Sequence, residues 1–157
     1  MYFKNILVPY DESDHARSAL HIAIGLAGAY PEAKVSVVTV IPSASLPNPT
    51  LMGEGLEIPY AMGDPGSYER IMESVVQRTC EDIQEMVRQS IDDAQCRVVA
   101  DAVISNSPVE GIADYVQQHD IDLVVMGRRG LGALRGMLGS VSFGVLRSVD
   151  VPVLTVK

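Results

Sequence analysis

Short apolar runs alternate along this chain with longer stretches of helical periodicity. Asn5-Ile6-Leu7-Val8-Pro9 is apolar at its centre and closed by proline, which predicts a short strand covered on both faces. Ala16, Ala19, Leu20, Ala23, Ala27 and Tyr30 then recur at helical spacing, with Pro31 as the expected stop. The β-branched run from Val35 to Ile41 predicts a second strand. Met72, Val76, Cys80, Ile83, Val87, Ile91 and Ala94 form one stripe of a long helix over about 67–94. A third strand is expected from Arg97 to Ile104. Ser107-Pro108-Val109-Glu110 follows as a capping box with proline at the first helical position. That helix should bury Val109, Ile112, Ala113 and Val116 and end near His119. Ile121 to Met126 predicts the fourth strand, Ser140 to Ser148 a short fourth helix, and Pro152 to Val156 the fifth strand.

Apolar strands alternating with amphipathic helices predict an α/β fold, a parallel sheet with helices on both faces, in a single domain over 1–157. Right-handed crossovers place all strand C-termini at one edge, where ligands bind such sheets. Two loops look suited to that edge, Pro9 to Ser13 and Gly127 to Ser142. Spacing alone does not say whether the first and fourth strands are neighbours. Residues 42–65 carry five prolines and three glycines with little periodicity, which predicts an irregular, mobile segment. Met52 and Met62 there would pack on a partner or on the chain's own body.

The second loop changes the picture most. It holds five glycines within 127–139 and ends in Gly139-Ser140, where the fourth helix starts. Glycine lets main-chain N–H groups approach a ligand closely, and a helix N-terminus adds unpaired N–H groups and a partial positive charge. Strand, glycine loop and helix start together make an anion cradle. Charge agrees with this: 127–157 carries five Lys/Arg against one acid, whereas the chain as a whole is at −8. A long polyanion such as DNA would be repelled over most of the surface, while a small anion needs only the loop. Apolar content of 47% argues against bulk disorder. Cys80 and Cys96 have no metal-ligand spacing. No run approaches membrane-spanning length, and the N-terminus leads directly into a strand without a signal-peptide pattern, so a soluble, cytoplasmic protein is expected.

Familiar nucleotide motifs fail. A P-loop requires Gly-Lys-Ser/Thr after the first strand; here Ser140 follows Gly139 after the fourth. Gly130-Leu131-Gly132 begins a dinucleotide fingerprint, but its third glycine, Gly136, falls one place late. A receiver domain would need an aspartate after the third strand, where Ile104-Ser105-Asn106 stands. No set of nucleophile, base and orienting group is visible among the three histidines, His15, His21 and His119.

Val8-Pro9-Tyr10-Asp11-Glu12-Ser13 resembles the opening strand and turn of the universal stress protein domain. Asp122 to Gly130, Leu138-Gly139-Ser140-Val141-Ser142 and Val151 to Val156 resemble that family's C-terminal signature. The resemblance covers the chain apart from 42–65. It implies a five-stranded parallel sheet of order 3-2-1-4-5 with helices on both faces, a Rossmann-like fold of the adenine nucleotide alpha hydrolase type. It also implies ATP, or another adenine nucleotide such as cyclic AMP, in one shared crevice. Pro9, Tyr10 and Asp11 would border the adenosine, with Asp11 near the ribose and near any magnesium brought by ATP. Val40 would touch adenine. Met126, Gly127 and Gly130 would line base and phosphates, and Gly139, Ser140, Val141 and Ser142 would hold the phosphates through N–H and hydroxyl groups. The family pattern is Gly-x2-Gly-x9-Gly-Ser/Thr; here eight residues separate Gly130 from Gly139. The shorter loop could bring Arg128, Arg129 and Arg135 onto the phosphates.

The leading expectation is an ATP-binding regulatory module of the stress-response type. It would dimerise through the fifth strand, Val151 to Val156, with no nucleic acid or membrane partner. Two alternatives stand beside it. One is a nucleotide-free interaction protein of the same fold. The other is a slow ATP hydrolase, with Asp11 and Glu12 holding magnesium and Ser140 facing the γ-phosphate.

Overall fold

β1 (Asn5–Pro9), β2 (Lys34–Pro42), β3 (Arg97–Ser105), β4 (Leu123–Gly127) and β5 (Val153–Val156) form one parallel sheet in the order β3-β2-β1-β4-β5. The computed structural model describes residues 3–46, 65–90, 96–131 and 138–157. The helices are α1 (Asp14–Ala27), α2 (Pro65–Ser90), α3 (Pro108–Gln118) and α4 (Ser140–Ser148). This is the α/β architecture and strand order expected. The chain builds outward from β1 to β3, then returns to β1's other side, where Ile6 and Leu7 pair with Leu123 and Val124 of β4. The order therefore reverses between β1 and β4, and the loops leaving both strands meet there.

Strand alternation divides the core in two. Ile6, Val8, Val35, Val37, Leu123 and Val125 point to one face, under the alanine-rich stripe of α1 and under Ile83 of α2. Leu7, Val38, Val124 and Met126 point to the other, under Ile112, Tyr115 and Val116 of α3 and Val145 of α4. β1 and β4 are buried on both faces, which explains why they read as unbroken apolar runs.

α1 buries Ala16, Ala19, Leu20, Ala23 and Ala27 as its periodicity predicts, but it stops at Ala27. The Gly28 N–H closes the last turn on the Ile24 carbonyl at 2.8 Å, so Pro31 stands in the turn beyond the helix. Tyr30 lies past the end, half-buried against the core. On α2 the predicted stripe reaches Val87, while Ile91 and Ala94 lie outside the described residues. β5 starts at Val153 rather than Pro152, whose carbonyl accepts the Val124 N–H at 3.0 Å. Ser43–Ser45 forms a single 3-10 turn after β2. The rest of the proline-rich stretch, with Met52 and Met62, lies outside the described residues, as do Gly132, Arg135 and Gly136. Among the described residues no helix is long and apolar enough to cross a membrane.

Candidate functional site

The turn after β1 is braced by its own side chains. The Ser13 hydroxyl donates to Asp11 Oδ1 at 2.6 Å, and the Ser13 N–H reaches the same oxygen at 3.2 Å. Ser13 Oγ in turn accepts the Ala16 N–H at 3.2 Å, so Ser13 is the N-cap of α1 and Asp11 fixes that cap. Glu12 between them takes φ 64°, a left-handed conformation that non-glycine residues adopt at a cost of about 1–2 kcal/mol. Tyr10 behaves differently from its neighbours. It borders the crevice, yet its ring belongs to the core cluster under α1, on the same face as Ile6 and Val8.

The loop after β4 is anchored at both ends. The Arg128 N–H continues the ladder onto the Val156 carbonyl at 2.6 Å. Eleven residues later the chain returns, and the Gly139 N–H donates to the Arg128 carbonyl at 2.9 Å. The buried Ser142 hydroxyl donates to the Gly127 carbonyl at 2.9 Å, with the Arg128 carbonyl at 3.2 Å. Ser142 therefore ties the first turn of α4 to the end of β4. Its hydroxyl proton is already engaged, which leaves its N–H as the group free to donate to a ligand. Gly139 is the N-cap of α4 and offers no side-chain hydrogen bond. The first N–H groups of a helix have no intrahelical partner, so those of Ser140, Val141 and Ser142 need an outside acceptor.

Glycine brings the two loops together. A Cβ on Gly127 would lie 2.8 Å from His15 Cβ and 2.9 Å from the His15 carbonyl carbon, so α1 packs directly on the end of β4. A Cβ on Gly130 would collide with the Asp11 carboxylate.

Between these loops lies a cavity of about 570 Å³. Pro9, Tyr10 and Asp11 line it from the first loop and Val40 from β2. Met126, Gly127, Arg129 and Gly130 line it from the end of β4, and Gly139, Ser140, Val141 and Ser142 from the start of α4. Arg128 is not in the wall; its main chain serves the β5 ladder and the return of the loop. The Nε atoms of Arg128 and Arg129 are buried without a partner among the described residues. Five wall residues were not singled out from sequence: Val38, Pro108, Ile112, Leu131 and Leu138. The signal for Pro108 and Ile112 was present, since a helix that starts at Pro108 directly after β3 must begin at the same sheet edge.

The cavity has two chemically distinct ends. One is apolar, built from Pro9, Val38, Val40, Pro108, Ile112 and Met126; the other carries the α4 N-terminus and Arg129. At the apolar end the main chain of β2 supplies polarity. The Tyr10 N–H donates to the Val38 carbonyl at 2.9 Å and the Lys34 N–H to the Lys4 carbonyl at 2.7 Å, so even-numbered residues of β2 face β1. Val40 continues that series beyond Pro9, where β1 has ended. The next carbonyl it would meet, that of Tyr10, takes the Thr39 hydroxyl at 2.9 Å. Among the described residues the main chain on β1's side offers Val40 no partner, so its N–H and C=O stand as an adjacent donor and acceptor beside the crevice that Val40 lines.

Among the described residues no three His, Cys, Asp or Glu side chains gather as a metal site. No group with a shifted pKa among the described residues is itself in the cavity wall. Burial pushes the Tyr115 phenol up to about 12, and its hydroxyl donates to Asp101 Oδ2 at 3.2 Å. Burial also raises the Cys80 and Cys96 thiols.

The family model described as the universal stress protein family matches residues 2–157. The chain belongs to this family. A universal stress protein of Thermus aquaticus is 31% identical over 156 residues, covering 99% of both chains. The solved structure of universal stress protein UspA from Lactobacillus plantarum shares the fold with a TM-score of 0.73 at 22% identity, over 100% of this chain and 99% of that one. Two other structures have the same fold with nucleotides bound. One is a universal stress protein in complex with cAMP, with a TM-score of 0.60 and 20% identity over 99% and 98% of the two chains. The other is the universal stress protein from Archaeoglobus fulgidus in complex with dAMP, with a TM-score of 0.60 and 21% identity over 100% of both.

Proposed function

We propose that this universal stress protein binds ATP in the crevice between β1 and β4 and acts as a nucleotide-dependent regulatory module. The observation that carries this reading is the uncapped N-terminus of α4, opening with Arg129 onto a glycine-walled cavity whose far end is apolar. The phosphates would lie against the N–H groups of Ser140, Val141 and Ser142, with the Arg129 guanidinium adding charge. Asp11, braced by Ser13, would face the ribose and supply a single carboxylate toward phosphate-bound magnesium. The base would slide between Val38, Val40, Ile112 and Met126. There the Val40 N–H and C=O match the ring-nitrogen acceptor and amino donor of adenine, whereas guanine presents the reverse pair. The cAMP and dAMP carried by relatives of the same fold support an adenine ligand.

Charge-assisted hydrogen bonds contribute about 1.5–3 kcal/mol each, so four or five would give micromolar binding after association costs. Calorimetric titration tests this. ATP with magnesium should bind at micromolar Kd and GTP at least tenfold more weakly. Gly139→Val should abolish binding, because its side chain would crowd the Arg128 carbonyl and Arg129 Cα, each 3.3 Å from the added Cβ, and part the loop from the start of α4. A flat ATP titration of the wild-type protein refutes the proposal.

Self-association through β5 fits the edge of the sheet. The Val124 N–H to Pro152 carbonyl and Arg128 N–H to Val156 carbonyl bonds turn even-numbered residues of β5 toward β4. Val153 and Thr155 therefore present their N–H and C=O groups outward on the terminal strand, a template for a second copy. Thr155→Pro removes an outward N–H while sparing the β4 ladder. Sedimentation velocity should find a wild-type dimer and a monomeric variant; a monomeric wild type overturns the dimer.

A further inference from the structure

α3 meets two neighbours at glycine. Where it crosses the end of β2, a Cβ on Gly111 would lie 2.7 Å from Val40 Cγ1, 3.1 Å from Val40 Cγ2 and 3.0 Å from Ser105 Cβ. Where it crosses α4, a Cβ on Gly144 would lie 2.6 Å from Val109 Cγ2. Non-bonded carbon atoms settle at about 3.5–4.0 Å, so at both crossings the helix lies closer than any side chain would permit. Gly111 itself is not in the cavity wall, but Val40, Pro108 and Ile112 around this crossing are. The approach of α3 to β2 therefore sets the width of the apolar end.

We infer that Gly111 is a positioning residue for the nucleobase: by letting α3 rest on Val40 it fixes the gap into which a planar ring fits. This rests on the adenine-nucleotide reading above. A side chain at 111 leaves two responses. Either α3 backs away, parting Pro108 and Ile112 from β2, or Val40 turns its methyl groups toward its open side, which is the cavity. Both spoil the stacking of a flat base. The second response leaves the α4 N-terminus, which holds the phosphate end, in place; the first draws on α4 through the contact of Val109 with Gly144. Either way the effect depends on the Val40 methyl groups and should shrink when they are removed.

The test is a double-variant cycle read by ATP titration. Gly111→Ala should weaken ATP binding about tenfold or more, the scale of an overpacked contact. Val40→Ala removes both close methyl groups and keeps the main-chain donor and acceptor, but it also takes wall contacts from the base and should weaken ATP binding several-fold on its own. Adding Gly111→Ala to Val40→Ala should then cost no more than about a further twofold, because the closest atoms it would strike are gone. Where Gly111→Ala alone is too unstable to titrate, Val40→Ile narrows the same end without filling the crossing and should weaken ATP binding to a similar degree. Affinity of Gly111→Ala within twofold of wild type overturns the inference, as does a Gly111→Ala loss as large in the Val40→Ala background as in the wild type. Wild-type protein that binds no ATP instead overturns the nucleotide reading, and the role of Gly111 falls with it.

Discussion

Two glycines of this chain should respond to alanine with opposite sign. Gly127 ends β4 beneath the first turn of α1. The added Cβ would stand 2.8 Å from His15 Cβ, 2.9 Å from the His15 carbonyl carbon and 3.1 Å from the Ala16 nitrogen. Two of those atoms are main chain and cannot rotate away, so α1 or the end of β4 must move by several tenths of an ångström. Moving β4 also disturbs the 2.9 Å bond from the Ser142 hydroxyl to the Gly127 carbonyl. Overpacking of this kind costs about 1–3 kcal/mol. For a domain of this size it should lower Tm by roughly 3–10 °C. Gly25 lies in the interior of α1 with nothing within 4 Å of an added Cβ. There alanine removes only backbone freedom of the unfolded chain, and stability should rise by about 0.5–1 kcal/mol, or roughly 1–4 °C. Thermal and urea unfolding followed by circular dichroism read both variants. Gly127→Ala should also weaken ATP binding, because it parts the loops that Gly127 and Gly130 hold together. A Gly127→Ala protein that melts with the wild type, or a Gly25→Ala protein that melts lower, contradicts the packing described.

Other outcomes follow from single groups. Ser142→Ala leaves the Gly127 and Arg128 carbonyls without their hydroxyl donor, so urea unfolding should show a loss of about 1–2 kcal/mol. Ser13→Ala removes the α1 cap and the partner of Asp11, with an expected loss of about 1 kcal/mol by the same measurement. Burial raises the thiols of Cys80, where Asp101 adds to it, and of Cys96. Less thiolate is then present at pH 7.5, and iodoacetamide should alkylate both more slowly than it alkylates glutathione; equal rates would contradict their burial.

The fold was legible because both faces of every central strand are covered. Continuous apolar runs such as Leu123-Val124-Val125-Met126 could be nothing else, and the stripe of α1 had to meet them. Helix ends were less legible. Pro31 is a strong stop, yet the chain left the helix at Gly28, because local hydrogen bonding ends a helix before proline must. The glycine loop and the Pro9 turn were visible as sequence, but their meeting was not. It depends on β4 returning to pair with β1, a contact between residues more than a hundred positions apart. Val38 was invisible as a cavity residue for the same reason. It reads as ordinary core until the topology places the end of β2 opposite the start of α3. Ser142 was legible as a residue of the loop but not in its role, since only the folded geometry turns its hydroxyl onto the carbonyls of β4.

If main-chain N–H groups at the start of α4 grip the phosphates of an adenine nucleotide, their amide resonances should report it in isotope-labelled protein as ATP and magnesium are added. Saturable shifts are expected, largest at Gly130, Ser140, Val141 and Ser142, with the Val40 amide moving along the same binding curve. Shifts confined to other parts of the chain, or none at millimolar ATP, would contradict it.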